Sequence, residues 1–91
     1  MNPLHVALLQ MTASGYDQEA NRAKGERFCR QASEMGADIA LFPEMWNVGY
    51  TFPDPSDPDA HDAWLTQAVD REGDFVSRFR ALAEELEMAM A

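Results

Sequence analysis

Hydrophobic and polar positions along this chain alternate between two rhythms. Leu4-His5-Val6-Ala7-Leu8-Leu9-Gln10-Met11 and Asp38-Ile39-Ala40-Leu41-Phe42 are short, nearly continuous apolar runs. Runs of that length bounded by turn residues predict strands, and unbroken apolarity predicts burial in a parallel sheet. Between them the period changes. Phe28, Ala32 and Met35 recur at i, i+4 and i+7 with Cys29 and Gly36 beside them, while Arg22, Lys24, Arg27 and Arg30 take the other side. This is an amphipathic helix from Asp17 to about Met35. Asp17 suits the N-cap, Glu19 suits the positive end of the helix dipole, and Gly36 suits the residue past the end. Strand, helix, strand predicts a βαβ unit with parallel strands and a right-handed crossover.

The second half is less regular. Asn47, Gly49, Pro53, Asp54, Pro55, Ser56, Asp57 and Pro58 exclude regular structure from Glu44 to about Pro58. Met45, Trp46, Val48, Tyr50 and Phe52 make that loop too apolar for simple disorder, which predicts a pocket-lining segment. A short helix is expected over 59–70, with Trp64, Leu65 and Ala68 on its apolar side. Gly73 separates it from a stronger helix beginning near Asp74, where Phe75, Phe79, Leu82 and Leu86 recur at i, i+4, i+7 and i+11. Met88-Ala89-Met90-Ala91 then reads as the opening of a third strand. The expectation is an α/β chain whose residues 1–91 form a partial domain, truncated at the start of that strand.

Composition narrows the partners. Sixteen acidic against seven basic residues give a net charge of −9. Such a chain lacks the clustered cations that nucleic acid or an anionic membrane requires, so neither is expected as a partner. The single cysteine, Cys29, rules out an internal disulfide and fits a reducing compartment, which predicts a cytoplasmic location. The first apolar run is too short to span a bilayer and has no basic flank.

Candidate chemistry centres on Ala40-Leu41-Phe42-Pro43-Glu44-Met45-Trp46. Pro43 cannot donate to a sheet ladder, so the strand stops there. Glu44 then falls just past the carboxyl end of a strand, where open α/β sheets bind their ligands. That makes it a candidate general base; the plain alternative is a solvated loop carboxylate. Trp46 and Tyr50 are candidates for a substrate pocket, with packing against the helices as the alternative. Asp54, Asp57, Asp59, His61 and Asp62 suggest an oxygen-rich metal loop. They lack the central glycine and terminal glutamate of a calcium-binding loop, so no metal site is expected. Cys29 reads as a small buried hydrophobe and His5 as structural.

The opening strand Val6–Met11, the helix through Gly36-Ala37-Asp38, the Leu41-Phe42-Pro43-Glu44 element and the following Gly49-Tyr50 together resemble the amino-terminal part of the nitrilase, or carbon–nitrogen hydrolase, superfamily. The resemblance implies a four-layer αββα sandwich that associates into homo-oligomers. It also implies hydrolysis of a non-peptide carbon–nitrogen bond in a small amide, carbamoyl compound or nitrile, without metal or organic cofactor. Chemistry in that family rests on a Glu–Lys–Cys triad, in which Glu44 matches the glutamate. The lysine and cysteine have no match in this sequence, so the chain alone is expected to be inactive. A non-catalytic α/β module for subunit interaction is the alternative.

Overall fold

A computed structural model describes residues 2–49 and 52–91; Met1, Tyr50 and Thr51 fall outside the described residues. The elements run β1 (Val6–Leu8), α1 (Gln18–Glu34), β2 (Ile39–Leu41), α2 (Pro58–Leu65), α3 (Asp74–Leu86) and β3 (Ala89–Met90). The three strands form one sheet in the order β1-β2-β3, parallel throughout. Val6 pairs with Ile39 and Leu8 with Leu41, while Ile39 on its other edge pairs with Ala89. The βαβ start and the third strand therefore form as the hydrophobic pattern predicts, with each regular segment shorter than its apolar run.

Local chemistry fixes the ends of α1. The Asp17 carboxylate accepts from the Ala20 N–H at 2.9 Å and so meets one of the unpaired donors of the first turn. At the other end Gly36 takes φ 84°, a conformation that costs a side-chain-bearing residue about 1–2 kcal/mol. The Ala37 N–H then reaches back to the Ala32 carbonyl at 3.0 Å, which closes the helix and sends the chain into β2.

Period-two alternation decides which strand residues enter the core. Ala7, Leu9, Ala40 and Met88 point to the face that also receives Cys29 and Ala32 of α1 and Leu82 of α3. Val6, Leu8 and Leu41 point the other way and are 48%, 62% and 41% exposed. The strands were expected to be buried on both faces. In this chain only one face is covered, because both long helices pack on the same side. The radius of gyration, 14.9 Å, exceeds the roughly 12 Å of a compact domain of this length, consistent with one open face.

Charged residues tie the two helices together across their outer surface. Glu26, whose side chain is only 15% exposed, lies 2.8 Å from Arg22, 3.2 Å from Arg30 and 3.2 Å from Arg78 of α3. Burial would raise its pKa, but hydrogen bonds from Arg30, Arg78 and Arg22 outweigh that and hold the carboxyl below its ordinary range. Arg30 also pairs with Glu85 of α3. The helix α2 is held more loosely. It has no buried residue, and Leu65, expected on an apolar side, is 51% exposed. Its anchors include a Phe52–Trp64 ring contact at 6.0 Å and a bond from Gln18 Nε2 to the Gln67 carbonyl at 2.9 Å. Among the described residues, no helix is long and apolar enough to cross a membrane.

Candidate active site

The central strand ends as its sequence requires. The Phe42 N–H makes the last rung, to the Ala91 carbonyl at 2.7 Å, and Pro43 has no N–H to offer the next. Residues 44–48 form a turn in which Met45 takes φ 55°, and the Val48 N–H closes onto the Met45 carbonyl at 3.3 Å. Glu44 thus leaves the carboxyl end of the middle strand of the sheet. Its side chain is exposed and has no hydrogen-bond or ion-pair partner among the described residues. A cleft of about 470 Å³ opens next to it, lined by Leu9, Met11, Leu41, Phe42 and Pro43. A larger cleft, about 610 Å³, lies between α1 and α3 and is walled by Glu19, Arg22, Asp74 and Arg78. Of those walls Glu19, Arg22 and Arg78 are engaged in ion pairs, and that cleft contains none of the strand-end residues. The smaller cleft is the one at the strand ends, where α/β sheets place their chemistry.

The turn carrying Glu44 is fastened on both sides. The Trp46 ring stacks on Phe42 and meets Phe79 edge-on at 5.4 Å and Phe75 at 5.5 Å. It lies directly over Gly25 of α1, where a Cβ would fall 2.6 Å from the indole. One residue further, the Asn47 carbonyl accepts a hydrogen bond at 2.8 Å from the amide of Asn21, also on α1. Gly49 takes φ 61° against Gly15 of the β1–α1 loop, and a Cβ there would collide with the Gly15 carbonyl oxygen. Val48, between these anchors, is buried.

Of the three residues singled out in the sequence, Glu44 directly follows Pro43 of the strand-end cleft but is exposed and does not itself line it, and Trp46 is half-buried in an aromatic cluster with Phe42, Phe75 and Phe79. Tyr50 lies outside the described residues. Asn21 was missed. Its signal was legible, since it lies one turn before Gly25 and two before Cys29 on the buried stripe of α1, where a polar side chain calls for a partner.

Neither of the other triad residue types in this chain is placed for nucleophilic chemistry. Cys29 is fully buried, and burial, reinforced by the nearby Glu26 charge, pushes its thiol up to about 11. The Lys24 ammonium donates to the Thr12 carbonyl and holds the β1–α1 loop. Among the described residues, no group of three His, Cys, Asp or Glu side chains converges as a metal site. Asp54 instead caps its own turn, its carboxyl lowered by hydrogen bonds from the Ser56 amide and hydroxyl. Asp38 accepts from the His5 N–H at 2.9 Å, at the opposite end of β2 from Glu44.

Comparison with known proteins places this architecture. A family model described as carbon–nitrogen hydrolase matches residues 5–91. A nitrilase from Pyrococcus abyssi (strain GE5 / Orsay) is 34% identical over 47 residues, which are 52% of this chain and 18% of that protein. The crystal structure of an amidase from Nesterenkonia sp. superposes with a TM-score of 0.67 at 27% identity, covering 96% of this chain and 30% of the amidase. The chain thus spans less than a third of the length of either relative.

Proposed function

The chain belongs to the carbon–nitrogen hydrolase family, and from that premise we propose that Glu44 is the general base of a hydrolase acting on small amides, carbamoyl compounds or nitriles. The observation that supports this reading is its position, directly after Pro43 at the carboxyl end of the central strand, on a turn anchored by Trp46 and Asn47. A base needs a defined place more than a particular neighbour, because proton transfer requires approach to within hydrogen-bond distance.

In the proposed reaction Glu44 accepts the proton of a cysteine thiol as the sulfur attacks the amide or nitrile carbon. The same carboxyl then returns the proton to the departing nitrogen. A lysine donates to the negative charge that develops on the attacked group. The resulting thioester or thioimidate is hydrolysed by water, again with Glu44 as base. An unperturbed thiol is only a few per cent ionised at neutral pH, which is why the base matters.

Cys29 and Lys24 are not the cysteine and lysine of this scheme. Those groups would come from polypeptide beyond these 91 residues, so the activity is proposed for the complete hydrolase carrying this segment. The open sheet face of Val6, Leu8 and Leu41 is then the surface on which the second sheet of an αββα sandwich packs. Tyr50 and Trp46 are proposed as substrate-contacting residues of the complete hydrolase. Homo-oligomeric assembly and a cytoplasmic location belong to the same reading, the latter because a lone thiol suits a reducing compartment.

The deciding experiment is Glu44→Gln in the complete hydrolase. It removes the base at constant shape, and turnover is expected to fall by roughly 10³-fold with folding intact. Wild-type turnover in that variant would remove Glu44 from the mechanism and favour a non-catalytic interaction module, for which the open sheet face is the supporting feature.

A further inference from the structure

We propose that Asn21 is a positioning residue for Glu44, fixing the turn that carries it; the proposal rests on the reading of Glu44 as the base. Asn21 is 1% exposed, the one buried polar side chain among the described residues. A buried primary amide is costly unless its groups are bonded. Here Oδ1 accepts from the Ser14 N–H at 2.6 Å, and Nδ2 donates to the Asn47 carbonyl at 2.8 Å and the Gly15 carbonyl at 3.2 Å. All three partners are backbone groups, and all three lie in loops that follow the carboxyl ends of β1 and β2. One side chain on a rigid helix therefore holds both strand-end loops at once.

The register of these contacts explains why Glu44 would feel them. Asn21 and Gly25 are one helical turn apart on α1, and they receive two consecutive residues, Asn47 and Trp46. On the strand side, Phe42 is fixed by its ladder bond and by the Trp46 ring. Only Pro43, Glu44 and Met45 lie between those fixed points. Proline fixes its own φ, and Met45 occupies the left-handed region, so the backbone under Glu44 has little freedom left. Loss of the Asn47 anchor frees one end of that bridge. A reacting group misplaced by 1 Å costs about 10²-fold in rate, far more than it costs in substrate binding.

The test compares folded variants of the complete hydrolase. Asn21→Asp keeps the shape and the acceptor for Ser14 but removes both donors, and Asn21→Ala removes every bond. Each is expected to lower kcat by about tenfold or more with KM within about threefold. Should the aspartate variant fail to fold, because its buried carboxylate faces two carbonyl oxygens, the alanine variant carries the measurement, alone and combined with Glu44→Gln. Met88→Ala, a core cavity at the amino end of β3 and so at the opposite end of the sheet from the turn, serves as the stability control: it should lower the urea midpoint while kcat per folded molecule stays unchanged. Because Asn21 acts through Glu44, adding Asn21→Asp to Glu44→Gln should cause no further loss in the residual rate. Wild-type kcat in either folded Asn21 variant, or an additive loss in the double variant, overturns the proposal. Wild-type turnover in Glu44→Gln alone would instead sink the base assignment and this positioning role with it.

Discussion

The indole of Trp46 lies parallel to the ring of Phe42, 4.4 Å away between centroids and tilted by 12°. These two rings bracket the three residues at whose centre Glu44 stands. The strand thus hands its last core side chain, Phe42, directly to the loop that follows. The stack is continued by Phe79 of α3, edge-on to both rings, so α3 is coupled to the turn without touching Glu44.

Trp46→Ala should therefore damage both stability and the site. Removing a ring packed on Phe42, Phe75 and Phe79 is expected to cost about 3 kcal/mol. Urea denaturation of the complete hydrolase measures this. A loss below about 1 kcal/mol would mean that the ring is not a packing anchor and would favour a role confined to substrate contact.

Glu26 gives the fold an acid-sensitive joint. Its carboxyl titrates below the ordinary value of 4.5, because three arginines hydrogen-bond the charged form. A lowered folded pKa means that the unfolded chain binds the proton more readily. The contribution is complete above the ordinary glutamate range and is lost as pH falls through the lowered folded value. Glu26→Gln should thus reduce stability at pH 7 by about 1 kcal/mol, and the gap to the parent should narrow toward pH 3. Melting curves across that range would show it; a constant gap would mean that the ion pairs contribute nothing.

Cys29 should be chemically silent in the folded state. With a thiol pushed up to about 11 and no exposed surface, almost none is thiolate at pH 7. Alkylation by iodoacetamide is expected to be slow in buffer and to accelerate more than a hundredfold in urea, where the thiol reverts to its ordinary value. In the 91-residue polypeptide this is the only cysteine, so mass spectrometry of that chain reads it directly. Rapid labelling without urea would place Cys29 outside the core.

The open sheet face should govern how the 91-residue polypeptide behaves by itself. Val6, Leu8 and Leu41 form an apolar strip on adjacent paired strands. That polypeptide is expected to bind a hydrophobic dye and to melt with poor cooperativity. Leu8→Lys combined with Leu41→Glu should suppress dye binding while leaving the helix content unchanged. A sharp two-state melt of the parent polypeptide would contradict an uncovered face.

Much of this molecule was set by local chemistry and could be read along the chain. Asp17 caps α1 and Gly36 ends it because those positions need a side-chain acceptor and a left-handed backbone. Phe75, Phe79 and Leu82 mark the inner side of α3 because a helix repeats every 3.6 residues. Pro43 ends β2 for want of an N–H, and that alone puts Glu44 at the strand end. Tertiary structure decided the rest. That Asn21 holds Asn47, 26 residues away, and that Gly25 makes room for Trp46, follows from how α1 lies across the strand ends. That Leu41 faces outward while Ala40 is buried follows from both long helices packing on one side. Periodicity reports which residues share a face; only packing reports what that face meets.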